Sequence, residues 1–197
     1  MRQAMRRRAL LSVVAAAGGT LAFAWHLGKP SAQTGVAPVS APRAGLPGLE
    51  ALRISDPPAK LAPAALVDAD GRAHGLEDFA GTGLVLNLWA TWCVPCVAEL
   101  PALAALAAQV RAAGILVLPL SSDRGGAPIV DQYYRRHGIE GLPVWLDPKG
   151  AAARAWGARG IPTTLVVDRQ GRERGRIEGS VNWASETVVA EVRRLVV

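Results

Sequence analysis

The chain holds only two cysteines, Cys93 and Cys96, placed where an apolar run of strand length gives way to a helix-forming one. Upstream, Leu84-Val85-Leu86-Asn87-Leu88-Trp89 has the length and apolar character of a buried strand. Downstream, residues 95–113 read as a helix, with Leu100, Leu103, Ala104, Leu106, Ala107 and Val110 on one face and a stop before Gly114. Trp92-Cys93-Val94-Pro95-Cys96 therefore opens that helix. Residues three apart in a first helical turn bring their α-carbons to about 5 Å, inside the range of a disulfide. Cys93 sits at the helix N-terminus, where unpaired N–H groups and the positive dipole end favour a thiolate. The dipole contributes about 0.3–1 kcal/mol. Lowering a thiol pKa from about 8.5 to about 7 takes roughly 2 kcal/mol, so hydrogen bonds to the sulfur must supply the rest. Pro95 fits the first turn, where no N–H partner is lost. Cys93 reads as the nucleophile, and Cys96, one turn inside, as the resolving thiol.

Three other uses of the pair are weaker. Closing so short a loop removes little unfolded-chain entropy, so the bridge is a poor structural staple. Zinc would want two more ligands at matching spacing, and His26, His74 and His137 are not arranged as a second pair. Covalent haem attachment needs His directly after the second cysteine, where Val97 stands. Redox chemistry is the reading that fits.

Half of the 197 residues are hydrophobic and 19% are charged, enough apolar material for a packed core. The formal net charge is +6, but Arg2, Arg6, Arg7 and Arg8 carry four of those charges. A near-neutral remainder gives no electrostatic footprint for nucleic acid. Residues 9–28 follow the arginines without a charge, long enough to cross a bilayer, and Ala22-Phe23-Ala24 offers a cleavage site. Residues 1–28 thus read as a signal-anchor or signal peptide, with the positive flank cytoplasmic and the body exported. Residues 29–62, rich in proline, glycine and alanine, read as an extended tether. Residues 63–197 form the folded domain.

Within that domain, residues 64–67 and a return near Ala73 flank the turn Asp68-Ala69-Asp70-Gly71, an opening hairpin. Strands follow at 84–89, 115–120, 143–146, 163–167 and 172–178; helices at 95–113, 127–137, 151–156 and 184–196. The expected class is α/β, a central mixed sheet with helices on both faces. Arg172, Arg174 and Arg176 fall on one face of a strand expected at the sheet edge, where charge discourages aggregation. Trp145, Trp156 and Trp183 read as packing residues, and His74 and His137 as surface residues. Trp92, beside Cys93, reads as a contact surface for partners.

The blocks 86–101 (Leu-Asn-Leu-Trp-Ala-Thr-Trp-Cys-Val-Pro-Cys-Val-Ala-Glu-Leu-Pro) and 157–168 (Gly-Ala-Arg-Gly-Ile-Pro-Thr-Thr-Leu-Val-Val-Asp) resemble TlpA-like and ResA-like membrane-anchored thiol–disulfide oxidoreductases of the thioredoxin superfamily. The resemblance covers about residues 63–197, and Val181-Asn182-Trp183 also looks like TlpA proteins. It implies a thioredoxin fold with an N-terminal hairpin and a helix–strand insert at 127–146. It implies a cis-proline at Ile161-Pro162 that faces the cysteines and offers the Ile161 backbone to substrate, and a helix-interior proline at Pro101. Glu99 matches an acid near the cysteines, a candidate proton carrier for Cys96; a solvated helix-face carboxylate is the plainer reading. Two positions depart from relatives. Asn87 stands where cytoplasmic thioredoxins keep a buried aspartate, and an amide cannot take that proton. Thr163 stands where cytochrome c maturation thioredoxins usually carry an acid.

The function so implied is a reductase on the periplasmic side of a bacterial inner membrane, needing no cofactor. Its partners would be client proteins with disulfides or CxxC thiols, such as apocytochrome c or copper-site assembly factors, and a membrane electron donor. A dithiol oxidase or isomerase would use the same residues. A copper- or haem-handling binding module would use the cysteines without turnover.

Overall fold

The apolar run ending at Trp89 becomes the central strand of a mixed sheet, and every other element can be placed from it. The structure, a computed structural model, describes residues 48–196; the leader and the tether up to residue 47 lie outside the described residues. The strands are β1 (Leu52–Lys60), β2 (Leu66–Asp68), β3 (Ala73–His74), β4 (Gly83–Trp89), β5 (Ile115–Ser121), β6 (Trp145–Leu146), β7 (Thr163–Val167) and β8 (Arg172–Glu178). Their spatial order is β1-β8-β7-β4-β5-β6-β2-β3. β4, β5 and β6 run parallel, whereas β7 pairs antiparallel with both β4 and β8. The helices are α1 (Val94–Val110), α2 (Ala127–His137), α3 (Ala151–Ala155) and α4 (Glu186–Val196).

β4 is buried along its whole length, so its side chains divide between two cores rather than between core and water. Val85 and Trp89 join Leu100, Leu103 and Leu106 of α1, Val130 and Tyr134 of α2, and Val188, Val192 and Leu195 of α4. Leu84, Leu86 and Leu88 face the opposite side, with Leu118, Leu120, Leu165 and Ala152 of α3. Each fully buried leucine contributes about 1.5–3 kcal/mol of transfer free energy. By the alternation of the strand, Asn87 points to the α1 side. That places a polar group under the helix that carries the cysteines. The α/β class, the mixed sheet and helices on both faces are as the sequence implies.

Three expectations are corrected. First, the stretch 29–62 is not all tether: residues 52–60 form β1, paired antiparallel with β8, and Leu49, Leu52 and Ser55 are buried. Pro57 and Pro58 hid the strand. They fall where the β1–β8 register is interrupted, between Ile54 and Ala59, and proline is tolerated at such an interruption on an edge strand. Second, β8 is interior, because β1 covers it. Its arginines pair with buried acids, Arg172 while still exposed to solvent. Arg172 bonds the buried Asp168 at 2.9 Å, with Arg174 3.9 Å from the same carboxylate, and Arg176 makes a bidentate pair with the buried Glu173 at 2.7 Å. Third, His74 is half-buried: it lies 3.0 Å from Asp68 and 3.4 Å from Asp78, edge-on to Trp145 at 5.1 Å.

If β1 belongs to the cooperative fold, Leu52→Ala lowers the unfolding free energy of the full chain by about 2–5 kcal/mol. A tether position would change it by less than about 0.5 kcal/mol. Guanidinium unfolding distinguishes the two.

Candidate active site

The parallel strand β4 delivers the chain to the N-terminus of α1 through residues 90–93, a turn held by hydrogen bonds at Ala90, Thr91 and Cys93. The Cys93 N–H donates to the Ala90 carbonyl at 3.1 Å, closing a turn. Asp123, just past β5, accepts the Thr91 N–H at 2.8 Å, the Thr91 hydroxyl at 2.7 Å and the Ser121 hydroxyl at 2.7 Å. The loop is thus clamped to the neighbouring parallel strand. Nothing in the sequence pattern flagged Asp123, because the clamp joins residues 32 apart.

Cys93 is the N-cap of α1, with extended backbone angles, and its sulfur accepts the Cys96 N–H at 3.4 Å. This is the sulfur-directed hydrogen bond that the helix dipole alone could not replace. Cys93 and Cys96 form a disulfide with α-carbons 5.2 Å apart. Cys93 retains 6% of its surface and Cys96 none, so only Cys93 can be reached from outside. Cys93 is thus the outer sulfur and Cys96 the inner one.

Opposite the disulfide stands Ile161-Pro162, whose peptide bond is cis. The Ile161 carbonyl oxygen lies 3.8 Å from the Cys93 sulfur. Thr163, in place of an acid, turns its hydroxyl back to the Gly160 carbonyl at 2.7 Å and steadies the same turn. Trp92 and Val94 flank Cys93 with 69% and 76% of their surfaces in solvent. Two large apolar side chains left in water beside a reactive sulfur form a surface suited to an apolar partner segment. Pro101 lies inside α1, as the resemblance implies.

Glu99 is the site's largest departure from a plain helix. It is buried, with 4% exposure, and therefore not a solvated face residue. Its Oε1 accepts a bond from Asn87 Nδ2 at 2.9 Å; its Oε2 accepts the Trp183 indole N–H at 3.0 Å and the Val181 N–H at 3.3 Å. Burial pushes its pKa upward, against the pull of Asn87, Trp183 and Val181. Sequence reasoning singled out Glu99 but treated Trp183 as packing and Asn87 as a lost acid. Both turn out to be its partners. Among the described residues no ion pair reaches Glu99, so its charge is balanced by dipoles alone.

The fold and this centre define a thioredoxin-fold protein with a CxxC disulfide at the start of α1, the longest helix among the described residues. Residues 57–174 match the AhpC/TSA family, and the chain belongs to that family. It is 32% identical over 118 residues to the thiol-disulfide oxidoreductase ResA of Geobacillus thermodenitrificans, covering 59% of this chain and 66% of the relative. It is 31% identical over 114 residues to ResA of Bacillus thuringiensis subsp. konkukian, covering 58% and 65%. The chain spans just under two thirds of the length of these relatives. Among solved structures it is similar to the exposed lipoprotein thioredoxin Etrx1 of Streptococcus pneumoniae, with a TM-score of 0.57, 25% identity and coverage of 68% and 99%. A secreted thiol-disulfide isomerase of Corynebacterium glutamicum gives 0.58, 25%, and coverage of 68% and 84%.

A raised carboxyl pKa has a thermodynamic signature. Because the folded-state value lies above the unfolded one, Glu99 contributes stability that is fully present below the unfolded glutamate pKa. That contribution is lost as pH rises through the folded value. Unfolding free energies of the oxidised protein should fall across this window, and Glu99→Gln should remove that part of the slope. Equal slopes for the two proteins would contradict the assignment.

Proposed function

We propose that the chain is an exported thiol:disulfide oxidoreductase that reduces disulfides in other exported proteins by dithiol exchange. The observation that carries this reading is the arrangement of the two sulfurs. Cys93 stands at the rim, facing the Ile161 carbonyl and receiving the Cys96 N–H, while Cys96 is wholly buried behind it. In the reduced protein the same N–H and the helix terminus stabilise a Cys93 thiolate.

The thiolate attacks one sulfur of a client disulfide, and the client's other sulfur departs as a thiolate. A mixed disulfide now joins Cys93 to the client. Cys96 gives up its proton, attacks the Cys93 sulfur and expels the client's second sulfur. The product is a client dithiol and the Cys93–Cys96 disulfide of this structure. Two electrons have moved from the protein to the client, so a dithiol donor must return two before the next turnover. In this reading Glu99, three residues along α1 from Cys96, takes the Cys96 proton. Trp92 supplies the apolar contact and the Ile161-Pro162 turn the backbone contact for the client segment.

The proposed location rests on the leader. Four arginines before an uncharged run support a signal-anchor or signal peptide at residues 1–28 and a domain on the periplasmic side of the inner membrane, where a membrane protein would be the electron donor. The names of the similar structures, an exposed lipoprotein and a secreted protein, support export. Apocytochrome c and copper-site assembly factors are the clients this reading favours, since each must present reduced cysteines to receive its haem or metal.

Cys93→Ser should abolish insulin-disulfide reduction, while Cys96→Ser should accumulate mixed disulfides that are not resolved. Alkylation of the reduced protein near neutral pH should label Cys93 before Cys96. The reverse order would overturn the assignment of roles.

A further inference from the structure

Every partner of the Glu99 carboxylate is a hydrogen donor, so its hydrogen bonds suit the anion while its burial favours the neutral acid. A proton arriving from Cys96 would place an O–H against N–H groups. The Trp183 indole can only donate, and so can the Val181 backbone N–H. Asn87 is different, because an amide carries a donor and an acceptor on the same planar group. Its Nδ2 donates both to Glu99 Oε1 and to the Thr164 hydroxyl oxygen, each at 2.9 Å. Its Oδ1 is buried with no hydrogen-bond partner. An idle buried acceptor on the one residue able to change sign calls for a reason.

We infer that Asn87 is a positioning residue for the proton-transfer step, turning its amide by half a rotation as Glu99 gains or loses the proton. With Glu99 ionised, Nδ2 faces the carboxylate and Thr164, and Oδ1 is idle. With Glu99 protonated, Oδ1 takes the place of Nδ2 and accepts from the new Glu99 O–H. Thr164 follows without moving, because a hydroxyl that accepted from Nδ2 can donate to Oδ1. Apart from the amide only the Thr164 hydroxyl hydrogen has to turn, and one partner serves both protonation states.

The groups that bond Glu99 are Asn87 from β4 and Val181 and Trp183 from the segment before α4, and Cys96 lies one turn earlier on α1 itself. None of the first three titrates, so in the oxidised protein the switch answers to Glu99 alone. An aspartate at position 87 could not serve this way: its ionised form would repel the Glu99 carboxylate instead of donating to it. This gives the departure at Asn87 a use, because the acid sits on the helix and its reversible partner on the strand.

The inference rests on the assignment of Glu99 as proton carrier, and one experiment separates the two. The oxidised full chain, labelled with carbon-13 and nitrogen-15, is titrated from mildly acid to mildly alkaline pH, following the Glu99 carboxyl carbon and the Asn87 side-chain amide. The expected result is a common midpoint, with nuclear Overhauser contacts from the Asn87 Nδ2 protons to Thr164 present above it and lost below it. Glu99→Gln should hold the amide in one orientation throughout. If Glu99 titrates while the Thr164 contacts persist at every pH, Asn87 is a fixed donor and the inference fails, with Glu99 still a proton carrier. If the Glu99 carbon shows no titration, both readings fail together.

Discussion

The whole site depends on one constraint: Cys93 must cap α1 while Cys96 is held inside it. The cap gives the outer sulfur a backbone N–H donor at 3.4 Å and the helix terminus behind it. The same helix buries the inner sulfur against the sheet and points Glu99 toward Asn87. Two supports keep the cap in place, the turn from Ala90 to Cys93 and the Asp123 clamp on Thr91. Both grow from the carboxyl ends of the parallel strands β4 and β5. Reaction centres of open α/β sheets form at that end because the connecting loops are free to carry side chains there. The sheet supplies rigidity and the loop supplies the chemistry.

Much of this was legible from the chain because local pattern and global fold agree. The buried run before Trp89, the proline in the first turn and the apolar face of α1 each point to the same strand–loop–helix unit. The pairing of Cys93 with Cys96 followed from helical geometry, and the position of Ile161-Pro162 from a resemblance to known proteins. What escaped was non-local. Asp123 meets Thr91 across 32 residues, and Trp183 meets Glu99 across 84, with no periodicity to announce either contact. β1 escaped for another reason: its two prolines read as linker, while Leu52 and Ser55 show their burial only once β8 is beside them. The β8 arginines were misread as edge charges for the same cause.

The buried carboxylate is the costly element of the design. Ionised, it is held by three donors rather than by a cation, a balance that leaves it able to accept a proton without breaking an ion pair. A salt-bridged acid in the same place would stay ionised and idle. Burial that raises its pKa therefore brings the group nearer to the pH at which a thiol proton can be passed to it. Under the proposed mechanism, stability and reactivity are coupled through one side chain.

The central claim is that Cys96 resolves the mixed disulfide by giving its proton to Glu99. A mixed disulfide between reduced protein and a model peptide, formed in rapid mixing and followed to release of the peptide thiol, measures that step directly. The wild-type rate should fall as Glu99 becomes protonated at low pH, whereas Glu99→Gln should be slower at neutral pH and lack that inflection. Superimposable rate profiles for the two proteins would mean that the proton leaves by another route and that Glu99 serves packing alone.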